Sequence, residues 1–218
     1  MKENKYDDNI FFQKYSQMSR SQQGLAGAGE WETLRKLLPD FKDKRVLDLG
    51  CGYGWHCIYA MEHGASSVVG VDISHKMLEV AKEKTHFPQV EYKCCAIEDV
   101  EFPEESFDVI LSSLAFHYVA DYEILVKKIY RILKSGGKLV FTVEHPVFTA
   151  YGTQDWYYNE KGEILHFPVD NYYYEGKRTA VFLGEKVTKY HRTLTTYLNT
   201  LLSNGFIINH IVEPQPPE

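Results

Sequence analysis

The fold of this chain is decided by residues 46–54, which read Val46-Leu47-Asp48-Leu49-Gly50-Cys51-Gly52-Tyr53-Gly54. The apolar run Arg45 to Leu49 predicts a short buried strand, and the glycines follow it directly. Glycine lets the backbone turn tightly and approach a ligand closely. Trp55 to His63 then has the pattern of a helix, closed by Gly64. The stretch therefore predicts a strand, a glycine-rich turn and a helix, which together form a ligand-binding unit of α/β proteins.

Strands and helices alternate on both sides of this unit. The further strands are predicted at Ser67–Val71, Val90–Cys95, Phe107–Leu111, Lys138–Val143 and Phe206–Val212. The helices are predicted at Glu30–Leu38, after the N-caps Ser74 and Asp121, and at Arg192–Ser203. Apolar strands that alternate with helices indicate an open, mostly parallel, Rossmann-like α/β sheet of six or seven strands with helices on both faces. In such sheets the ligand lies beyond the carboxyl ends of the strands.

Two carboxylates at strand ends narrow the class of ligand. A dinucleotide site would need G-x-G-x-x-G, but Trp55 holds the third glycine position. Asp48 precedes the turn, where a carboxylate repels a pyrophosphate and attracts an ammonium or sulfonium group. Asp72 ends the second strand, 22 residues after Gly50, where it can accept hydrogen bonds from ribose hydroxyls. An alternative role for Asp72 is to cap the next helix, but Ser74 already offers that cap.

These motifs, with Ala96-Ile97-Glu98-Asp99 and Phe107-Asp108, resemble the class I S-adenosylmethionine (SAM)-dependent methyltransferases. The similarity is greatest to small-molecule enzymes akin to the ubiquinone/menaquinone methyltransferases, and it covers about residues 10–212. It implies an enzyme that moves a methyl group from S-adenosyl-L-methionine to a small-molecule acceptor and releases S-adenosyl-L-homocysteine (SAH).

The resemblance also implies a set of cofactor-binding residues. The methionine end would be held by Asp48 and the backbone of Gly50, Cys51, Gly52 and Gly54, and the ribose by Asp72. The adenine would be held by Ile73, Met77 and the backbone of Ile97, and the SAM backbone would meet Ser113 and Leu114. Many relatives have Asp where this chain has Ala96. Glu98 is then the candidate acceptor for the adenine amino group, or else it is a surface residue.

Two histidines near strand ends are the candidate catalytic residues. His117 follows the fourth strand and His145 follows the fifth. Positioning supplies much of the rate of methyl transfer, and a base is needed only if the acceptor arrives protonated. Each histidine is therefore either that base, a group that orients the acceptor, or a structural residue. The Asn/Asp-Pro-Pro-aromatic motif of amino-directed DNA methyltransferases is absent, as is the Pro-Cys of cytosine-C5 enzymes.

The remaining segments divide the chain around the SAM-binding core at residues 41–145. Residues 1–40 are expected to form a helical segment over the cofactor site, with Tyr15 and Arg20 as candidate contacts. Residues 146–190 are an aromatic-rich insertion after the fifth strand, predicted to cover the acceptor. The alternative is that its rings form only their own small core. Residues 191–218 supply the last helix and strand, and the final antiparallel strand of the family has no counterpart in them.

Composition limits the partners. The 218 residues are 44% hydrophobic and contain no long apolar run, so one medium domain outside the membrane is expected. The charged amino terminus predicts a cytoplasmic protein. A net charge of −6 argues against a nucleic-acid partner, and the four cysteines lack metal-ligand spacing, so no metal is implied. A nicotinamide-dependent oxidoreductase and a non-catalytic SAM-binding protein stay open as alternatives, and the oligomeric state is not indicated.

Overall fold

The structure is a computed structural model that describes residues 3–215. Three short helices come first: α1 (Asn9–Ser16), α2 (Ser19–Gln23) and α3 (Trp31–Leu34). The central part contains β1 (Arg45–Leu49), α4 (Trp55–Glu62), β2 (Ser67–Asp72), α5 (His75–Lys84), β3 (Val90–Cys94), β4 (Phe107–Ser113), α6 (Tyr122–Ile132) and β5 (Leu133–Thr142). The last part contains α7 (Pro146–Ala150), β6 (Tyr157–Tyr158), β7 (Ile164–His166), β8 (Gly176–Phe182), β9 (Glu185–His191) and α8 (Leu194–Ser203).

The central sheet has five parallel strands in the order β3-β2-β1-β4-β5. The order reverses direction between β1 and β4, which places the switch point of the sheet beside the glycine turn that follows β1. Apolar clusters cover both faces of the sheet. One contains α6 and α8, and the other contains α4 and residues of α5. The predicted parallel α/β architecture with helices on both faces is therefore confirmed.

Side-chain caps fix where several helices begin. Asp8 accepts hydrogen bonds from the first turn of α1, Ser74 from α5, Asp121 from α6 and Thr193 from α8. Each cap satisfies a backbone N–H that has no partner inside its helix. Ser74 and Asp121 are the two N-caps that the sequence indicates, and both are confirmed.

The insertion after β5 contains two antiparallel hairpins, β6–β7 and β8–β9. The β8–β9 hairpin packs on the amino-terminal segment, where Phe11, Ala180 and Val187 form a small buried cluster. Phe148, Trp156 and Phe167 pack on one another, with ring centroids 4.5–6.3 Å apart. The remaining exposed aromatic side chains of this insertion are those of Tyr157, Tyr158, Tyr173 and Tyr174. Several of the rings in this insertion therefore pack on one another, and four others face solvent.

The predicted sixth strand is wrong for the described residues. Residues 206–212 carry no strand hydrogen bonds, and a groove of about 1460 Å³ separates residues 206–214 from β5. A strand exists only where a neighbour pairs with its backbone, and β5 pairs only with β4 among the described residues. Within residues 3–215 no antiparallel strand joins the central sheet, which has five strands instead of the expected six or seven.

None of the helices in residues 3–215 combines the length and the apolar character that a bilayer crossing requires.

Candidate active site

The glycines after β1 have different structural tasks. Gly52 and Gly54 have φ values of +52° and +74°, a region that other residues enter at a cost. An added Cβ at Gly54 would lie 2.2 Å from the hydroxyl of Tyr92, whereas one at Gly52 would meet no atom within 4 Å. Gly54 is therefore required by packing. Gly52 presents its backbone to open space at the carboxyl end of the sheet, as a ligand cradle does.

Asp72 connects this turn to the end of β2. Its Oδ2 accepts the N–H of Gly52 at 2.9 Å and its Oδ1 accepts the N–H of Ser74 at 2.9 Å. The hydroxyl of Ser74 accepts the N–H of Met77 at 3.1 Å and so caps α5. Asp72 is therefore not needed as that cap. Because a carboxylate offers about four acceptor positions, each of its oxygens can accept one further donor.

Asp48 is buried at the end of β1, with a relative exposure of 1%. The thiol of Cys57 contacts its Oδ2 at 3.5 Å, while Oδ1 has no hydrogen-bond partner among the residues the structure describes. Burial raises the pKa of this carboxyl to about 7. A buried acceptor without a partner in the protein fits a ligand that brings a donor or a positive charge.

Arg20 and Glu30 form an ion pair beside the end of β4. The guanidinium nitrogen Nη2 of Arg20 donates to both oxygens of Glu30 at 2.7 and 2.8 Å. The hydroxyl of Ser113 donates to Glu30 Oε1 at 3.3 Å. A cation and a carboxylate side by side complement a zwitterion, such as the amino-acid end of SAM. Glu30 was not predicted, because a glutamate that begins a helix carries no sequence signal for ligand binding.

The amino-terminal segment closes on the loop that follows β2. Asp7 accepts the hydroxyl of Ser74 at 2.6 Å and the N–H of Lys76 at 3.1 Å. Tyr15 packs edge-on against Tyr6, with ring centroids 5.3 Å apart. Burial raises the pKa of both phenols, and the charge of Asp72 raises both further. Tyr15 also packs edge-on against Tyr53, with ring centroids 5.9 Å apart, so it lies beside the glycine turn.

The candidate adenine residues lie on the neighbouring loops. Met77 is buried in the first turn of α5, and the carbonyl of Ile73 accepts the amide of Asn4 at 3.2 Å. Ile97 begins a short 3-10 helix, and its Cδ1 lies 3.4 Å from where a Cβ of Gly50 would be. The carbonyl of Glu98 accepts Lys128 Nζ at 2.8 Å. Ile97 thus packs directly on the glycine turn.

Leu114 has a left-handed backbone at the end of β4. Its φ is +52°, and its N–H donates to the carbonyl and the hydroxyl of Thr142 at 3.0 and 3.1 Å. Such strain in a residue other than glycine is often found at functional sites. The Leu114 N–H is occupied by Thr142, so only its carbonyl and side chain are available to a ligand.

His117 is fully enclosed. Its Nδ1 accepts the backbone N–H of Glu144 at 3.4 Å, which assigns the proton to Nε2, 3.9 Å from Glu144 Oε1. Burial lowers the pKa of His117 to about 4, so the ring is neutral at neutral pH. Both ring nitrogens face Glu144, so the described contacts of this side chain are with a neighbouring residue of the protein, and its catalytic role stays a prediction.

His145 lies apart from His117, at the groove along the outer edge of β5. Its Nδ1 accepts the N–H of Val147 and caps α7, and its Nε2 is 2.6 Å from Glu213 Oε1. Both nitrogens thus have structural partners. His145 lines the groove beside β5, whereas His117 lies outside that groove and contacts Glu144.

The four cysteines are free thiols. Residues 3–215 contain no group of three or more His, Cys, Asp or Glu side chains that could hold a metal ion.

Comparison with known proteins gives the family. The family described as "Methyltransferase domain" matches residues 47–141. A SAM-dependent methyltransferase from Mesorhizobium loti is 41% identical, with a TM-score of 0.82, over 89% of this chain and 88% of that chain. A Listeria monocytogenes structure assigned to the same class is 58% identical, with a TM-score of 0.83, over 86% of this chain and 88% of that chain. A ubiquinone biosynthesis O-methyltransferase from Coxiella burnetii is 36% identical, but over only 50% of this chain and 47% of that enzyme.

The chain belongs to the SAM-dependent methyltransferases, and SAM is its methyl donor. The unpartnered oxygen of Asp48, the open cradle at Gly52 and the strand-end Asp72 fit this donor, which brings an ammonium group, a sulfonium and a ribose. The nicotinamide-dependent alternative is not favoured.

Proposed function

We propose that this chain methylates a small molecule, which it holds between the carboxyl end of the sheet and the insertion at residues 146–190. The observation that carries the proposal is the hydrogen bond from Gly52 to Asp72, because it joins the two motifs that a nucleoside-type donor needs. The insertion supports a small acceptor, since the stretch from Val147 to Arg192 has six acidic and six basic residues and offers no excess charge to a polyanion.

In this proposal the donor contacts follow the strand ends. Asp72 accepts the ribose hydroxyls, and Asp48 with the backbone of Gly50 to Gly54 receives the sulfonium and methionine end. Arg20 and Glu30 separate when the donor binds, so that Arg20 contacts the carboxylate of the methionine end and Glu30 contacts its ammonium. Tyr15, Ile73, Met77, Ile97, Glu98, Ser113 and Leu114 complete the cavity wall. Bound SAM supplies the electrophilic methyl group, and the residues of the chain align it and exclude water.

Calorimetric titration with SAM, SAH and NAD in parallel tests the donor site. Micromolar binding of SAM and SAH, lost in Asp72→Ala, is expected. Binding of NAD alone would disprove the donor assignment. Binding of SAM without methyl transfer to any member of a broad small-molecule panel would instead favour the non-catalytic SAM-binding protein.

The proposal extends to organisation and location. In the proposed organisation residues 1–40 cover the donor site, residues 41–145 are the core, residues 146–190 are the acceptor lid, and residues 191–218 supply the last helix of the core. Residues 1, 2 and 216–218 lie outside the described part of the chain. A cytoplasmic location is supported by the four free thiols, which persist in a reducing compartment. The net charge of −6 supports a partner other than nucleic acid.

A further inference from the structure

Glu144 stands at the centre of a polar cluster that none of the donor-binding residues uses. Its Oε1 accepts Lys189 Nζ at 2.5 Å and its Oε2 accepts the amide nitrogen of Gln154 at 2.9 Å. Lys189 Nζ also donates to the side-chain oxygen of Gln154 at 2.8 Å. The cluster therefore connects the end of β5 with β9 and with the loop between α7 and β6.

The cluster is held more firmly than a surface ion pair. The side chain of Lys189 is 3% exposed, and Gln154 adopts a left-handed backbone with φ of +61°. A residue other than glycine keeps such a conformation only where its surroundings impose it, and such residues concentrate at functional sites. Glu144 itself is 28% exposed. Both carboxylate oxygens therefore have one partner in the protein, and each keeps an acceptor position for a further donor at a side chain that is still partly exposed.

The position of Glu144 relates it to the donor site. The hydroxyls of Tyr118 and Tyr6 lie 3.5 Å apart. His117 contacts Glu144 and packs on Tyr118, with ring centroids 4.4 Å apart. Tyr6 in turn packs on Tyr15, and Tyr15 on Tyr53 of the glycine turn, with ring centroids 5.3 and 5.9 Å apart. Glu144 is thus connected to the glycine turn through these aromatic side chains and lies on their far side, which we assign to the acceptor.

The carboxylate is charged at neutral pH. Burial raises its pKa, but His117 and Lys189, together with the hydrogen bonds from Lys189 and Gln154, more than offset that effect and lower it. His117 is neutral above about pH 4, so Lys189 and Gln154 hold the charge under ordinary conditions. A carboxylate whose pKa lies below its usual range is a poor base at neutral pH, but it is a strong hydrogen-bond acceptor.

We propose that Glu144 binds the acceptor through an N–H or O–H on its nucleophilic atom, and that Lys189 is the positioning residue that aims Glu144. This inference rests on the proposed methyltransferase function and adds the acceptor class, an amine or a hydroxyl compound. The new bond forms from the lone pair of that nitrogen or oxygen to the methyl carbon. The carbon–sulfur bond breaks with its electrons left on sulfur, and the acceptor's proton passes to water.

The test needs no acceptor, because sinefungin carries an amine where SAM carries its methyl group, while SAH carries nothing there. We expect the wild-type chain to bind sinefungin at least about 10-fold tighter than SAH, since a charge-assisted hydrogen bond contributes about 1.5–3 kcal/mol. Glu144→Gln should reduce the ratio of the two dissociation constants by about 10-fold, leaving any part that comes from Asp48, and should keep that of SAH within about twofold. Lys189→Met should also reduce the ratio of the SAH and sinefungin dissociation constants. Lys189→Arg keeps the positive charge and should therefore give a ratio between those of Lys189→Met and the wild-type chain. Glu123→Gln, on an exposed pair with Lys127, is the matched control.

The outcomes separate the two proposals. A wild-type chain that binds neither ligand overturns the proposed function, and this inference with it. SAH binding with a sinefungin ratio that Glu144→Gln leaves unchanged overturns this inference alone. SAH binding in each variant also shows that the variant is folded.

Discussion

Gly52 donates its backbone N–H to Asp72 Oδ2 at 2.9 Å, which fixes the glycine turn after β1 to the end of β2. The same carboxylate positions the turn and presents the remaining acceptor positions of both oxygens to a ligand. Replacing Asp72 by Asn substitutes an N–H₂ group for one of these acceptors. We expect Asp72→Asn to raise the dissociation constant of SAH by about 100-fold, from the loss of one charge-assisted hydrogen bond and the weakening of the other, which no longer has a charged acceptor. Calorimetric titration of the wild-type chain and of Asp72→Asn with SAH measures this change in the dissociation constant.

Asp121→Asn is the control for that change, because Asn and Asp cap a helix about equally well. It makes the same substitution at the N-cap of α6, away from the turn. Equal SAH affinity in Asp72→Asn and Asp121→Asn would contradict the ribose role of Asp72.

Gly52 and Gly136 make a matched pair for testing the open cradle. Both have positive φ, +52° and +74°, and an added Cβ meets no atom within 4 Å at either site. Alanine at either position costs about 1–2 kcal/mol of stability through backbone strain. Gly52→Ala should in addition weaken SAH binding by at least about 10-fold, because its methyl group enters the ligand space, whereas Gly136→Ala should not. Thermal melts and SAH titrations of both variants check this, and equal SAH affinities would refute it.

The ion pair of Arg20 and Glu30 is expected to recognise the amino-acid end of the donor. Arg20→Met should weaken SAH binding by about 10-fold or more, since a charged hydrogen bond is lost. The affinity for 5′-methylthioadenosine, which lacks the amino-acid end, should not change. Fluorescence titration of the wild-type chain and of Arg20→Met with SAH and with 5′-methylthioadenosine measures both affinities. An equal loss of affinity for the two ligands would mean that Arg20 stabilises the fold and does not recognise the amino-acid end.

Burial raises the pKa of Asp48 from 3.8 to about 7, which makes stability depend on pH. Between these values the folded chain binds more protons than the unfolded chain, so the free energy of unfolding falls as pH rises. The stabilisation is fully present below about pH 4 and is lost through about pH 7. From about pH 5 to about pH 7.5 this contribution is about 3 kcal/mol. In Asp48→Asn the free energy of unfolding, measured by urea unfolding at each pH, should fall by about 3 kcal/mol less over this range than in the wild-type chain. Parallel pH profiles for the two chains would contradict the raised pKa of Asp48.

Lys189 and Glu144 should be energetically coupled. Lys189→Met leaves the partly exposed carboxylate of Glu144 without its cation, and we expect a loss of about 2 kcal/mol in the free energy of unfolding, less than for a fully buried pair. The double variant with Glu144→Gln should lose less than the sum of the two single changes, by about 1–3 kcal/mol. Urea unfolding of the four chains gives the coupling energy. Additive losses would show that the two side chains do not stabilise each other.

Much of the fold was predictable from local pattern. The inner strands β1, β2 and β4 contain short apolar runs, and α5 and α6 begin at their own caps, Ser74 and Asp121, so apolar pattern and capping chemistry locate these elements. Phe206 to Val212 shows where this fails. Its apolar pattern is that of a strand, but pairing depends on a neighbour at hydrogen-bonding distance, and no property of the segment itself supplies one.

The donor site was more predictable than the acceptor site. Asp48, the glycines and Asp72 lie next to each other along strand ends, which topology brings together. The roles proposed for Glu30, Glu144 and Lys189 depend on hydrogen-bond partners that are distant in the chain. Glu30 is 10 residues from Arg20, Glu144 is 45 from Lys189, and Lys189 is 35 from Gln154. His117 could be selected by its residue type, but only its enclosure shows that both nitrogens face Glu144. Long-range juxtaposition of this kind leaves no local signature.

Asp7, which precedes α1, accepts hydrogen bonds from Ser74 and from the Lys76 N–H in the first turn of α5. The start of this helix therefore depends on a residue that lies 67 positions before its cap. Anything that pulls on the amino terminus, such as a purification tag or a proteolytic nick, therefore acts on the loop beside Asp72. Preparations that differ only in their leader sequence should be compared for SAH affinity before their activities are compared.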